Sequence, residues 1–271
     1  MNSTGNQAVI VTLLLGLALF AVQASARTIQ WSGRTWDVKN GNGLGPGPNN
    51  WSDSTDSVWI DANGNLHLKV RRFRGKWYSA EVISQDSLGF GDYEFRLESD
   101  TENYDKNVVA GLFTYASDTE EVDIELTKFG DANNTNAHYT VQPYFNAGNT
   151  TGFDLGLTGD FSTHSFDWTA NQIDFESLHG HHSTPPTPGH VINEWSYTGA
   201  DIPSEGSEKV HINLWLFQGT KPSNNQSHEL IIDSFTFTAA GGGAAAAAIP
   251  EPAALMLIAI GGAGLLRRRR S

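Results

Sequence analysis

Three carboxylates occupy alternate positions of one short segment, Glu121-Val122-Asp123-Ile124-Glu125-Leu126. On a β-strand successive side chains point to opposite faces, so the three acids share one face and the apolar residues between them turn toward a core. Carboxylates are disfavoured in strands, and like charges placed this closely repel one another. No Lys or Arg is interleaved to relieve the repulsion. Such a local conflict with stability is typical of a functional site that holds protons or binds a cation.

Two other interpretations fit the same strand. It could be an ordinary solvated face of a sheet, or a calcium-binding patch, since Ca²⁺ prefers carboxylate oxygens. The strict alternation with apolar residues favours a functional cleft over both. The chain also carries 8 Trp, 7 Tyr and 14 Phe, the kind of aromatic content that a sugar-stacking cleft needs.

The acids need a sheet to position them, and short alternating segments separated by Gly, Asn, Asp or Pro recur through the middle of the chain. The predicted strands are 65–70, 93–97, 108–115, 122–127, 138–144, 164–168, 172–177, 211–217 and 230–238. Strands at this spacing predict an all-β fold, an antiparallel β-sandwich or jelly roll. There is no Cys, so stability depends on a large core rather than on disulfides.

Both ends of the chain read as targeting segments. Residues 8–22 are largely apolar and precede Ala24-Ser25-Ala26, which predicts a secretory signal over 1–26. At the other end, Pro250-Glu251-Pro252, an apolar stretch and four arginines resemble the PEP-CTERM sorting tail of Gram-negative bacteria. That resemblance implies processing by an exosortase, only transient membrane contact, and export to the cell surface or matrix. The resulting organisation is signal 1–26, domain 27–238, Gly/Ala linker 239–249 and tail 250–271.

The charge balance restricts the partners. The chain has 17 basic and 30 acidic residues; leaving out the four tail arginines and Glu251 gives 13 and 29, a net charge of −16. Such an acidic domain is unsuited to nucleic acid or anionic lipid. A neutral polysaccharide raises no such objection.

Glu121-Val122-Asp123-Ile124-Glu125 resembles the catalytic E-x-D-x-E strand of glycoside hydrolase family 16. Further segments resemble that family's strands in the same order, and they are Tyr78-Ser79-Ala80-Glu81-Val82, Gly89-Phe90-Gly91-Asp92-Tyr93-Glu94, Phe166-Asp167-Trp168-Thr169, Ile212-Asn213-Leu214-Trp215 and Asp233-Ser234-Phe235. The resemblance covers roughly residues 49–237. It implies a concanavalin A-like jelly roll and an enzyme that cleaves β-linked glucan by a retaining double displacement.

The same resemblance assigns roles to the acids. Glu121 takes the position of the nucleophile and Glu125 that of the general acid/base. Asp123 lies between them, and we expect it to hold a proton or hydrogen bond that keeps one neighbour ionised and the other protonated. The three should titrate as a coupled set.

The resemblance also suggests which residues contact sugar. Trp215 and Tyr115 are predicted sugar platforms, with core packing as the alternative for both. Glu81, Gln142 on the strand after the acids, and Asn50 before Trp51 are predicted to bond sugar hydroxyls. No cofactor is required, but a structural Ca²⁺ is possible on the far side through Asp233, whose alternative is a surface or turn-capping residue.

Other features limit the prediction. Lichenase-like members carry a Trp two residues before the nucleophile, where this chain has Thr119, so one stacking surface is missing. The histidines of segment 179–190 are expected to lie in a plain loop. An endo-acting β-glucanase is the leading hypothesis, with a matrix-remodelling transglycosylase and a non-catalytic lectin-like domain as alternatives.

Overall fold

The computed structural model describes residues 27–241. In that range the chain forms eighteen strands and three short 3₁₀ helices, the latter at Thr101–Asn103, Pro188–His190 and Phe217–Gly219. The strands are β1 (Thr28–Trp31), β2 (Arg34–Val38), β3 (Gly41–Leu44), β4 (Asn49–Trp51), β5 (Val58–Ile60), β6 (Leu66–Phe73), β7 (Lys76–Tyr78), β8 (Ala80–Ser84), β9 (Gly91–Glu98), β10 (Val108–Ser117), β11 (Glu120–Leu126), β12 (Ala137–Val141), β13 (Thr150–Phe153), β14 (Phe161–Trp168), β15 (Ile173–His179), β16 (Val191–Tyr197), β17 (Lys209–Leu216) and β18 (His228–Ala239).

Two large antiparallel sheets contain most of these strands. The front sheet, which carries the acids, has the order β1-β2-β8-β17-β10-β11-β12-β13. The back sheet has the order β16-β15-β14-β9-β18-β6-β5, with β7 paired to β6. A small hairpin of β3 and β4 completes the described part of the chain. The predicted all-β antiparallel jelly roll is confirmed.

The core lies between the two sheets and explains why β11 is held so firmly. Val122, Ile124 and Leu126 are buried there, as the alternation predicts. From the back sheet, Tyr93 and Phe166 stack with ring centroids 4.8 Å apart. Each fully buried side chain of this size contributes about 1.5–3 kcal/mol, so β11 is fixed from below while its acids point away from the core.

Several predicted strand boundaries need correction. The predicted strand 138–144 ends at Val141, because Pro143 has no N–H to donate to a ladder. The edge strands β1 and β13 of the front sheet and β16 and β5 of the back sheet escaped prediction, and so did β2, which lies inside the front sheet. Strands β5 and β13 have only 3 and 4 residues, too few for a clear alternation. Of the histidines in segment 179–190, His181 and His182 lie in a loop as predicted, whereas His179 ends β15 and His190 ends a 3₁₀ helix. Within residues 27–241, no group of three or more His, Cys, Asp or Glu side chains is arranged to hold a metal ion.

The predicted targeting segments lie almost wholly outside the described residues. The signal 1–26 and the tail 250–271 belong to the part of the chain that the structure does not describe. Strand β18 ends at Ala239, one residue into the predicted linker. Within 27–241, none of the helices has the length and apolar character needed to cross a membrane.

Carboxylates crowd the outer surface of the back sheet. Asp92 on β9 lies opposite Asp167 on β14, which in turn lies opposite Asp174 on β15. Burial, together with the charges of Glu94, Asp167 and Glu176, raises the pKa of Asp92 to about 6. The charged form of Asp92 is therefore less favourable in the folded protein than in the unfolded chain.

Replacing Asp92 by Asn should stabilise the protein at neutral pH. The folded pKa lies above the unfolded value of about 3.9, so the stability that Asp92 contributes is complete below pH 4 and lost as the pH rises through 6. After discounting for solvent screening, about 1 kcal/mol is at stake, or roughly 2–4 °C in Tm. Thermal melts at pH 4 and pH 7.5 should show the gain only at the higher pH. The exposed Asp154, replaced by Asn, is the control; an equal gain there would contradict the prediction.

Candidate active site

The acids of β11 are placed by the two strands beside it. In the register with β10, Glu121 lies opposite Tyr115, Asp123 opposite Phe113 and Glu125 opposite Gly111. Because Gly111 has no side chain, the space opposite Glu125 is available to the Asn213 side chain and to the edge of the Phe113 ring. An added Cβ there would lie 2.5 Å from Asn213 Oδ1, whose oxygen accepts a hydrogen bond from the Gly111 N–H.

A cavity of about 820 Å³ opens over this face of the front sheet. All three acids line it, and so do four of the five predicted sugar-contacting residues, namely Glu81, Tyr115, Gln142 and Trp215. The wall also has six further aromatic or imidazole side chains, from Phe113, Phe129, His138, Tyr144, His211 and Phe217. The remaining lining residues are Lys39, Gly45, Pro46, Asp118, Thr140, Thr150 and Asn213. The cavity volume lies within the range of clefts that bind ligands in other proteins.

Burial dominates the electrostatics of the triplet. It raises the pKa of Glu121 to about 7, although a hydrogen bond with Asp123 pulls in the opposite direction and the charge of Glu125 adds to the rise. Burial, reinforced by the charge of Glu121, raises the pKa of Asp123 well above its usual range. The pKa of Glu125 is likewise raised, first by burial and then by the charge of Asp123.

The hydrogen bond between Asp123 and Glu121 moves the pKa values of the two carboxyls in opposite directions. It lowers the pKa of Glu121 and raises that of Asp123, so a proton held on Asp123 is donated to an ionised Glu121. On the other side, Gln142 Nε2 donates to Asp123 Oδ2 at 3.1 Å. The Gln142 amide is oriented in turn, because its Oε1 accepts the backbone N–H of Tyr144 at 2.8 Å. Although β12 ends before Gln142, the side chain reaches the predicted face.

The two predicted sugar platforms differ in exposure. Trp215 is only 8% exposed and packs with Trp51 and Val109, so it belongs to a small apolar cluster as well as to the cavity wall. Tyr115 is half-buried, and its hydroxyl donates to Asp118 Oδ1 at 2.9 Å. That hydrogen bond is the main cause of a raised pKa of the Tyr115 phenol, and burial is the second cause.

Asn50 and Asp233 lie away from the cavity. Asn50 stands on β4 between two buried neighbours, and its Nδ2 donates to the Trp77 carbonyl at 3.1 Å. It is not among the cavity-lining residues, so the structure does not place it where sugar was expected. Asp233 lies on β18 of the back sheet, where its Oδ2 accepts the Ser234 hydroxyl at 2.8 Å.

The surroundings of Asp233 do not by themselves form a calcium site. Ca²⁺ takes six to eight oxygens. No group of three or more His, Cys, Asp or Glu side chains is arranged to hold a metal within the described range. A structural Ca²⁺ at Asp233 would have to take its other oxygens from backbone carbonyls and water, and it stays a prediction.

Several cavity residues escaped sequence reasoning. His211 and Asn213 precede Trp215 at alternate positions of β17, so alternation counted back from Trp215 could have found them. His138, on β12, lies opposite Glu125 of β11 and could also have been found by alternation. Lys39 has no comparable signal, because it follows β2 far from the acids in sequence.

Thr119 occupies the position at which lichenase-like members of family 16 carry a Trp. It is exposed in the turn between β10 and β11 and is not part of the cavity lining. Its hydroxyl lies 3.4 Å from that of Ser117. The wall beside Glu121 therefore has no aromatic platform at this position.

Tyr144 supplies an aromatic surface at the rim. Its side chain is 65% exposed and lines the cavity, whereas its neighbour Phe145 is 74% exposed and does not. Truncating Tyr144 to Ala should therefore raise KM for a long glycan roughly 3- to 10-fold, the loss of one stacking contact, and leave Tm unchanged. Phe145→Ala is the matched control, measured by initial rates on the same glycan. Equal effects in both variants would argue against a platform at Tyr144.

Sequence comparison now connects this geometry to known proteins. Residues 48–231, which include the acid strand and most of both sheets, match the profile of glycosyl hydrolases family 16. The chain belongs to this family. The family 16 region is followed by a second match, in which residues 248–270 fit the PEP-CTERM protein-sorting motif.

Relatives of this family 16 chain agree with that assignment. A beta-glucanase of Acetivibrio thermocellus is 31% identical over 158 residues, covering 52% of this chain and 45% of the relative. The chain thus spans about half the length of the curated relatives it matches.

Solved structures share the fold. Bacillus licheniformis beta-glucanase superposes with a TM-score of 0.58 at 19% identity, covering 80% of this chain and 99% of that one. A protein of Mycobacterium tuberculosis described as a pseudo beta-1,3-glucanase superposes with a TM-score of 0.53 at 20% identity, covering 73% and 88%. At these identities the superpositions show the fold alone.

Proposed function

We propose that this family 16 chain is a secreted, endo-acting glycoside hydrolase that cleaves β-linked glucan of the β-1,3 or β-1,3-1,4 type with retention of configuration. The observation that carries the proposal is the triplet Glu121, Asp123 and Glu125 on one face of β11, where Asp123 is buried, the two glutamates are half-buried and all three line an aromatic-walled cavity. Beta-glucanase relatives with matching sequence support the substrate class.

The first half-reaction forms a covalent intermediate. The ionised carboxylate of Glu121 attacks the anomeric carbon, and the bond from that carbon to the glycosidic oxygen breaks. The proton on Glu125 passes to the departing oxygen, which leaves as a hydroxyl of the released glycan. This step requires the two carboxyls about 5–5.5 Å apart.

The second half-reaction releases the enzyme. Glu125, now ionised, takes a proton from a water molecule as that water attacks the anomeric carbon. The bond to Glu121 breaks and its carboxylate is restored, with Glu125 protonated again. Two inversions leave the product with the configuration of the substrate.

Asp123 supports the unequal protonation that both steps need. By donating its proton to Glu121 it favours the ionised nucleophile, while the burial of Glu125 keeps the acid protonated. The Gln142 amide, fixed by the Tyr144 backbone, holds the other oxygen of Asp123. Raised pKa values of this kind suit acid–base chemistry near neutral pH.

The predicted site of action is the cell surface or extracellular matrix of a Gram-negative bacterium. The match of residues 248–270 to the PEP-CTERM protein-sorting motif supports export and processing by an exosortase. A polysaccharide is the partner that the cavity and the acidic charge of the domain favour.

A substrate panel tests the proposal. Purified protein should release reducing ends from β-1,3 or mixed-linkage glucan, and fewer or none from β-1,4-glucan, xyloglucan, agar and carrageenan. Proton NMR of the first product should show the β-anomer before mutarotation. An initial α-anomer would refute retention, and transfer products in place of reducing ends would identify a transglycosylase.

One observation favours a second candidate, a glycan-binding domain without turnover. The superposition on a protein described as a pseudo beta-1,3-glucanase shows that the fold by itself does not guarantee catalysis. Binding to a glucan with neither reducing ends nor transfer products would establish this alternative. The presence of all three acids in the cavity favours the enzyme.

A further inference from the structure

Glu81 belongs to the cavity wall, but both oxygens of its carboxylate contact other side chains of the protein. Its side chain is 1% exposed. Its Oε2 accepts a hydrogen bond from Lys39 Nζ at 2.7 Å, and its Oε1 lies 2.7 Å from His211 Nδ1. Both oxygens are therefore occupied by charge-assisted contacts, which leaves little of Glu81 for the sugar hydroxyl predicted to meet it.

Lys39 is itself held in place. Its Nζ donates to the Gly45 carbonyl at 2.8 Å and lies 4.2 Å from the centroid of the Trp51 ring. Removing one partner of a buried charge pair is strongly unfavourable, so the Lys39–Glu81 contact persists when the cavity fills. Glu81 acts as a fixed acceptor beneath His211.

This acceptor determines which nitrogen of His211 carries a proton. A carboxylate only accepts, so the hydrogen on Nδ1 points at Glu81. In the neutral ring Nε2 is then left as an acceptor. Among the described residues Nε2 has no hydrogen-bond partner, although His211 lines the cavity.

Aromatic neighbours fix the plane of the ring. His211 stacks on Phe113 with centroids 4.9 Å apart and rings inclined by 28°. Tyr115 meets its edge at 5.7 Å. A ring held by stacking, by an edge contact and by a hydrogen bond to a buried carboxylate is preorganised, and ordering it costs little on binding.

We propose that His211, rather than Glu81, presents the hydrogen-bonding group to the glycan at this end of the cleft. Its Nε2 accepts a hydrogen bond from a ring hydroxyl of the sugar, and Glu81 with Lys39 positions it. The proposal rests on the proposed function for the identity of the sugar, a neutral glucan with free hydroxyls. His211 then joins Asn213 and Trp215 as three successive cleft-facing side chains on β17.

Two substitutions separate the two nitrogens of His211. An Asn amide occupies roughly the place of Nδ1, so His211→Asn keeps a donor to Glu81 and removes the group facing the cleft. A Gln amide reaches roughly the place of Nε2, so His211→Gln keeps a group facing the cleft and gives up the contact with Glu81. A purely structural role for His211 predicts that the Gln variant is the damaged one.

The test is calorimetric titration of hexasaccharides, one β-1,3-linked and one of mixed β-1,3/β-1,4 linkage, into Glu121→Gln protein with and without each substitution. We expect His211→Asn to weaken binding on the order of tenfold with Tm maintained. We expect His211→Gln to lower Tm while retaining most of the affinity. Unchanged affinity in His211→Asn overturns the proposal, and so does loss of affinity confined to His211→Gln.

Wild-type turnover on the same oligosaccharides keeps the two proposals apart. If the wild-type protein turns over and His211→Asn leaves the affinity unchanged, the role of His211 is overturned and the hydrolase proposal stands. Weakened binding in His211→Asn without any wild-type turnover upholds His211 and overturns the hydrolase. Absence of binding by the Glu121→Gln protein overturns both.

Discussion

Glu121→Ala should lose turnover by a factor on the order of 10⁴ or more, because no other group is placed to form the covalent intermediate. Glu121 has the carboxyl whose ionisation is favoured by a hydrogen bond from Asp123. Initial rates on the best glucan of the panel measure the loss. Glu120→Ala is the control, since Glu120 adjoins Glu121 on β11 but is not part of the cavity lining.

Azide can then assign the two glutamates. In Glu121→Ala a small anion fills the space of the lost carboxylate and attacks the anomeric carbon once, giving an α-glycosyl azide. In Glu125→Ala the intermediate on Glu121 still forms from a substrate with a good leaving group, and azide displaces it to give a β-glycosyl azide. The reverse pairing of variants and anomers would exchange the roles, and normal turnover in Glu121→Ala would refute the mechanism.

Asp123→Asn should narrow the pH profile from the alkaline side. The substitution keeps a donor to Glu121 and an acceptor for Gln142, but Asn cannot ionise. Wild-type Asp123 gives up its proton as the pH rises, and the charge it then carries raises the pKa of Glu125. Without that charge the pKa of Glu125 is lower, so the general acid loses its proton at lower pH. The acid limb, set by Glu121 near pH 7, should stay in place.

The measurement is kcat/KM against pH for wild type, Asp123→Asn and Asp123→Leu. On the alkaline side the Asn variant should lose kcat/KM by about 10- to 100-fold, less than the 10²–10⁴-fold that a positioned acid contributes in full, because Glu125 itself is still present. The Leu variant also removes the hydrogen bond to Glu121, so its acid limb should move to higher pH. An alkaline limb unchanged in Asp123→Asn would show that Asp123 does not act through its charge.

The sequence predicted the acid strand well because two independent constraints coincide there. Val122, Ile124 and Leu126 must face the core, whereas the acids that alternate with them must face away from it, so the period of two in this segment is unambiguous. Alternation also placed Gln142, just beyond β12, on the cleft face, whereas Trp215 was predicted from the resemblance to family 16. Strands in the middle of the sheets such as β10 and β17 follow from their buried faces, but β2 was not predicted.

Other parts of the site depend on contacts that no local pattern records. Glu81 looked like a free sugar ligand until the fold brought Lys39 and His211 to its two oxygens, from 42 and 130 residues away in sequence. Asn50 was assigned to the cleft by its position before Trp51, but its side chain satisfies the Trp77 carbonyl. Edge strands such as β13 and β16 lack the two-sided burial that a sequence pattern reflects.

The hydrogen bond from the Tyr144 backbone to Gln142 connects the entrance of the cleft to the three acids of β11. Tyr144 stands at the exposed rim, and its N–H sets the amide that holds Asp123. We expect a sugar ring that stacks on Tyr144 to shift this N–H, and with it the Gln142 amide that contacts Asp123. The pKa values of the acids should then differ between the free and the sugar-bound protein, so the pH profiles of kcat and of kcat/KM should not superimpose.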